Sequence, residues 1–315
     1  MAPRGTLLKT TALSLASLAS LTQGRPLTDA RDDCGCYKAA ADSTAYFANR
    51  KFFDFRNIGD PATPGPITAG AAADMAAGAT HPYFKGAEWT GTWSTQSWDT
   101  PGEGVHRVNS ANNVLVAPGD GGKGTCLTLR TERQASYQST AEVESVAADY
   151  HFLTMRMYAR TTGSAGAVTA LFTYTGKTDP VQEADLEIRT LTDPSVAQYT
   201  NQPGTVDGDV DKAATRVVDL PSPWTDWHEY RYDWTPGSSD WFVDGAKVAS
   251  IQHNAPTVPL SVIMNVWSDG GSWSGVMDVG KSAAMQVQWL DLTYNSTSQP
   301  GAGACSSVCV IDDLI

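Results

Sequence analysis

Short runs in which apolar and polar residues alternate recur from residue 126 to residue 294. They include CLTLR (126–130), TAEVESV (140–146), FLTMRMYAR (152–160), AVTALFTYT (167–175), ADLEIRT (184–190), WHEYRYDW (227–234), DWFVDG (240–245), LSVIMNVW (260–267) and MQVQWLDLTY (285–294). Successive side chains on a strand point to opposite faces, so each run presents one row to a core and one away from it. Gly, Pro, Asp and Ser separate the runs, and helical periodicity is nearly absent. Many short strands joined by turn signals specify an all-β, antiparallel sandwich or barrel. A chain of 315 residues accommodates one such sandwich of ~200–250 residues with flanking segments.

The flanks read differently. Arg4 and Lys9 precede the apolar run TTALSLASLASL (10–21), and Thr22-Gln23-Gly24 offers a small-residue cleavage site. This run is shorter than the ~20 residues of a membrane span, so residues 1–24 are expected to be a signal peptide and not an anchor. The expected product is secreted to the extracellular space or cell wall, without a membrane partner. Its net charge of -12 argues against binding nucleic acid, because phosphates would be repelled. Residues 25–80 are expected to be an N-terminal extension with one cysteine pair, 81–296 the β-sandwich, and 297–315 a tail with a second pair. In an oxidising compartment, disulfides between Cys34 or Cys36 and Cys305 or Cys309 are expected, with the connectivity open and Cys126 left as a buried thiol. Asn295-Ser296-Thr297 is a glycosylation sequon at Asn295.

Several motifs fail. GSWSG (271–275) has Trp where a nucleophile elbow needs Ser, and GDGGKGT (119–125) lacks a P-loop's opening Gly. DGDVD (207–211) lacks the Gly and Glu of a calcium loop and reads as a turn. No paired-His motif suggests a metal. No cofactor is expected, and the sequence does not indicate a structural calcium.

One segment carries chemistry. Glu183-Ala184-Asp185-Leu186-Glu187-Ile188-Arg189 places three carboxylates on one strand face and three apolar side chains on the other. The competing reading is a solvated face, and Glu142-Val143-Glu144 shows that acids occur on strands elsewhere. Three acids on a concave sheet, however, suit retaining glycosidic cleavage, which needs a nucleophile and an acid/base ~5–5.5 Å apart. A third carboxyl between them would separate their proton affinities.

EADLE (183–187) resembles the Glu-x-Asp-x-Glu signature of glycoside hydrolase family 16. WHEYRYDWTPGSSDWFVDG (227–245) and MNVW (264–267) resemble two further family segments in the same order, and the likeness is greatest to the secreted fungal branch. The resemblance, running from about Trp89 to Tyr294, implies a concanavalin A-like β-jelly roll of two antiparallel sheets with a cleft on the concave one. It also implies Glu183 as nucleophile, Glu187 as acid/base and Asp185 as assisting carboxylate. Arg156, Asn265, Trp267 and Trp273 match cleft positions of the family, and Tyr199 and Asn201 lie near two others. Thr154 stands where a Glu is common, and Val181 departs from a frequent aromatic. His228 reads as a hydrogen-bonded structural residue; for Trp89, Trp93 and Trp98, sugar stacking and packing stay open. The expectation is a monomeric retaining endo-β-glucanase acting on β-1,3 or mixed β-1,3/1,4-glucan. A glucan transglycosylase and a lectin-like binding module are the alternatives; the intact acid triad argues against the module, which has no use for it.

Overall fold

The computed structural model describes residues 34–101, 104–298, 305 and 307–314. The expected signal peptide lies outside these residues. The strands form a jelly-roll sandwich of two large sheets. In the concave sheet the order is Trp93–Thr95, Gln138–Ser145, Ser261–Trp267, Val168–Thr175, Gln182–Arg189, Val196–Asn201 and Thr215–Asp219, every pair antiparallel. In the convex sheet the long strand Ser282–Ser296 is central. One edge pairs with Asn49–Asp54 and Thr125–Arg133, the other with Tyr150–Gly163, followed by His228–Thr235, Ser238–Val243 and Ala246–Ile251. Gln138–Ser145 begins beside Thr125–Arg133 and ends beside Ser261–Trp267, so it links the two sheets. Two short pairs are parallel: Arg107–Asn109 with the start of Gln138–Ser145, and Cys36–Lys38 with Val308–Val310.

The alternation read in the sequence builds the core. Ala184, Leu186 and Ile188 face Met155, Met157, Tyr230, Tyr232 and Trp241 across the sandwich, in one continuous buried cluster. Tyr199 and Tyr232 both pack on Trp241, with ring centroids 5.5 and 5.2 Å away. Trp89 and Trp93 belong to this core, which settles their role as packing; Trp98 does not.

The boundary expected at residue 80 does not coincide with the edge of the sandwich. Asn49–Asp54 pairs with Trp289–Tyr294 and buries Phe53 in the core. It spans only six residues with no apolar/polar alternation, next to an irregular Pro- and Gly-rich stretch, which hid it. Further along, the short helix Ala71–Met75 plants Asp74 at zero exposure. That carboxylate accepts hydrogen bonds from Ser110 Oγ (2.7 Å), Asn112 Nδ2 (2.8 Å), Tyr137 Oη (3.1 Å) and Ser139 Oγ (2.5 Å).

The chain ends meet on the convex side through Cys34–Cys309 and Cys36–Cys305, while Cys126 is a buried free thiol. DGDVD is a hairpin turn, with Asp207 and Gly208 at φ 52° and 88° between two two-residue strands. Both central residues of such a tight hairpin take positive φ, which Asp tolerates and Gly adopts freely. Among the described residues no helix is long and apolar enough to cross a membrane.

Candidate active site

The acid-bearing strand Gln182–Arg189 sits near the middle of the concave sheet. Because its apolar residues are committed to the core, Glu183, Asp185 and Glu187 must face outward, into a cleft of about 550 Å³. Antiparallel register extends each acid into a row across the sheet. Glu187 lies beside Ala170, then Asn265, then Glu142; Asp185 lies beside Phe172, then Ile263, then Glu144. Ala170, Asn265, Phe172 and Ile263 therefore separate two acidic walls.

Burial raises the proton affinity of the whole triad, because desolvation penalises a carboxylate. Glu187 is pushed up to about 8 by burial and by the charge of Glu183, against the opposing pull of Arg189. Glu183 is raised less, to about 7, because a hydrogen bond from Asp185 offsets part of the burial. Asp185 is raised well above the usual range by burial first, then by the charges of Glu183 and Glu187. Gln202 Nε2 donates to Asp185 Oδ2 at 2.9 Å. The middle acid is thus held toward its protonated form, and its hydrogen bond to Glu183 leaves that glutamate the easier of the two to ionise.

The cleft wall opposite is also acidic. Glu142 accepts from Trp98 Nε1 (3.1 Å) and Asn265 Nδ2 (3.4 Å), and burial raises its proton affinity despite those bonds. Asn265 Oδ1 is buried without a donor among the described residues. Trp267 lines the cleft and Trp273 stacks on it at 5.9 Å and 18°. Arg107 covers the Trp267 ring at 5.3 Å and Arg189 covers the Trp273 ring at 5.1 Å, so four planar groups form one stack.

Of the residues expected around the triad, Asn265 and Trp267 line the cleft and Trp273 stacks beside it. Arg156, Tyr199 and Asn201 lie elsewhere. Arg156 is on a convex-sheet strand whose Met155 and Met157 turn inward; its guanidinium faces the far side, bound to Asp312 (2.6 Å) and the Ala39 carbonyl. Tyr199 pairs with Leu186 and Asn201 with Ala184, which puts both on the core face; Asn201 Nδ2 donates to the Ile251 and His253 carbonyls. Their strand runs one residue out of phase with the expectation. The alternation Ala197-Gln198-Tyr199-Thr200 carries that phase, with the apolar pair inside. His228 is structural, bonded to Asp244 at 2.7 Å. Asn295 has both ends of its amide engaged, accepting from Ala48 N and donating to the Tyr46 carbonyl.

Trp98, left open between sugar stacking and packing, lies in the cleft lining, and missed in the sequence were Arg107 and Phe172 there. The acids of Glu142-Val143-Glu144, set aside as solvated, line it too. The signal available was that Ala141 and Val143 alternate with them as a core row.

Comparison with solved structures defines the fold first. A Bacillus licheniformis β-glucanase superposes with a TM-score of 0.54 at 24% identity, covering 65% of this chain and 92% of that one. The catalytic domain of an endo-1,3-β-glucanase (laminarinase) from Thermotoga petrophila gives 0.53 at 17% identity, over 71% of this chain and 96% of that one. The chain belongs to glycosyl hydrolases family 16, whose sequence model matches residues 90–290. Among its relatives is a β-glucanase of Bacillus subtilis, 31% identical over 137 residues, which are 41% of this chain and 53% of that protein. The chain thus spans about half the length of this relative.

Proposed function

We propose that the chain is a secreted endo-β-glucanase that cleaves β-1,3 or mixed β-1,3/1,4 linkages with retention of configuration. The observation that carries this reading is the triad: three carboxyls on one strand face, on the floor of a cleft, with ordered proton affinities. Glu183, the more readily ionised glutamate, attacks the anomeric carbon while Glu187 gives its proton to the departing glycosidic oxygen. The bond to the leaving sugar breaks as the Glu183 ester forms. Water then attacks the anomeric carbon, surrenders a proton to Glu187 and releases Glu183. Asp185 donates its hydrogen bond to Glu183 throughout and keeps the nucleophile ionised beside a protonated Glu187. Asn265 Oδ1 offers an acceptor to a sugar hydroxyl, which would relieve an otherwise unpaired buried group.

Family membership and the β-glucanase relatives support this substrate class. The two disulfides support passage through an oxidising compartment, with residues 1–24 as the leader and Asn295 glycosylated there. Retention is tested by proton NMR of the first product formed from laminarin or lichenan. A β-anomer appearing first is expected; an early α-anomer would mean inversion and would overturn the mechanism.

A further inference from the structure

Arg189 is the fourth residue of the acid face, one strand step beyond Glu187, with Cα atoms ~6.6 Å apart. It is half-buried. Its guanidinium's described contacts are both with Trp273, whose ring it covers at 5.1 Å and whose carbonyl accepts from Nη1 at 3.3 Å. Among the described residues, no carboxylate lies within ion-pair distance of it. A free cation beside three carboxyls is unexpected, since closing an ion pair with the nearest one would be electrostatically favourable.

The stack explains why it stays apart. Trp267 and Arg189 belong to one row of the sheet, both pairing with Val168. Trp273 stacks on Trp267 and under Arg189. Its loop is fixed by Asp269, which accepts from Gly271 N (2.8 Å) and Ser274 Oγ (2.5 Å). The guanidinium is thereby held over an indole, on the acid's face but not bonded to it.

We propose that Arg189 is a positioning residue for the acid/base step: its unpaired charge, parked on Trp273, governs when Glu187 releases its proton. This rests on Glu187 being the acid/base, as set out above. The other titratable groups on this face are accounted for. Glu183 and Asp185 lie on the same strand, Tyr174 on the neighbouring one, and Glu142, Glu144 and Arg107 across the cleft. Toward the other edge the strand Val196–Asn201 presents Gln198 and Thr200, which are uncharged, and the edge strand beyond it carries exposed Asp219 opposite Val196. Arg107 is directed at Trp267 and at Asp269. Arg189 is thus the cation that opposes the negative field on Glu187, and its charge does lower that proton affinity. Without it Glu187 would stay protonated to higher pH and would be a poorer acid toward the departing glycosidic oxygen.

The test uses the full chain labelled with carboxyl-¹³C glutamate, the Glu187 signal being assigned by its loss in Glu187→Gln. In Arg189→Met and Arg189→Gln the Glu187 midpoint should rise by about 0.5–1 pH unit. The alkaline limb of kcat/KM should rise with it. Arg189→Lys, which restores charge without the planar stack, should return the midpoint to within about 0.2 unit of wild type. An unchanged midpoint in both neutral variants would overturn the proposal, as would a lysine variant that matches them. If the midpoint shifts but the wild-type protein cleaves no β-glucan, the assignment of function fails and the electrostatic coupling stands.

Discussion

A carboxyl that must give up a proton in a half-dry cleft is stabilised in its neutral form, and two consequences follow for the triad. The first is kinetic. With Glu183 raised to about 7 and Glu187 to about 8, the kcat/KM profile should be bell-shaped with both limbs well above the ordinary carboxylate range of ~4.3. Either Glu→Gln change should cost roughly 10³-fold or more in kcat. Asp185→Asn should cost less, because an amide still donates to Glu183, yet it should move the profile by removing a proton-sharing partner. A profile left in place would reduce Asp185 to a structural residue. The second consequence concerns stability. The folded state binds these protons more tightly than the unfolded chain, so their contribution is fully present below ~4.5 and is lost as pH rises through about 7 and 8. Glu187→Gln should therefore gain on wild type by roughly 1–3 kcal/mol between pH 5 and 8.5, after allowing for screening at the cleft mouth. Denaturant melts at the two pH values measure this, and an equal difference at both would contradict it.

On the scale of a strand or helix, parity decides function. Leu186→Ala removes a side chain buried to 1% exposure between Asp185 and Glu187, and should cost about 2–5 kcal/mol while loosening both. Asp74→Ala should cost about 3–5 kcal/mol, because four donors lose one acceptor at once. Urea titration of each variant gives these values, and a loss under 1 kcal/mol for Asp74→Ala would mean the network relaxes onto water. The acid strand was legible in the sequence because EADLEIR alternates without a break and its charged row has no structural purpose. Asn265 and Trp267 were legible through the resemblance of MNVW to a family segment, which singled out one row of an alternating strand. Arg156 was not, because residue order does not say which sheet a strand joins, and an outward arginine on the convex sheet has the same local pattern as one in the cleft. Tyr199 and Asn201 failed by a single residue of phase, which inverts every side chain on a strand. Glu142 and Glu144 were visible as a polar row, but only the pairing of Asn265 with Glu142 turns that row toward the triad.

For the molecule as a whole, the two disulfides are nested, with sequence separations of 275 and 269 residues. Either bridge alone ties the ends and removes most of the loop entropy, worth roughly 5 kcal/mol; the second then closes only a few further residues. Reducing both should lower the thermal midpoint on the order of 10 °C, whereas Cys36→Ser with Cys305→Ser should lower it by less than about 3 °C. Calorimetry that found the double serine variant as unstable as the reduced protein would show that the bridges act through local packing at the convex face. The division of labour is then clear. The convex sheet and its stapled ends hold the sandwich, and the concave sheet presents the three acids that we propose carry the chemistry. The most direct test of that claim is to trap the covalent intermediate. A 2-deoxy-2-fluoro β-gluco-oligosaccharide with a good leaving group should label the protein once, and peptide mass mapping should place the ester on Glu183. Labelling of Glu187 would reverse the two roles, and full turnover with no adduct on either glutamate would contradict the retaining mechanism itself.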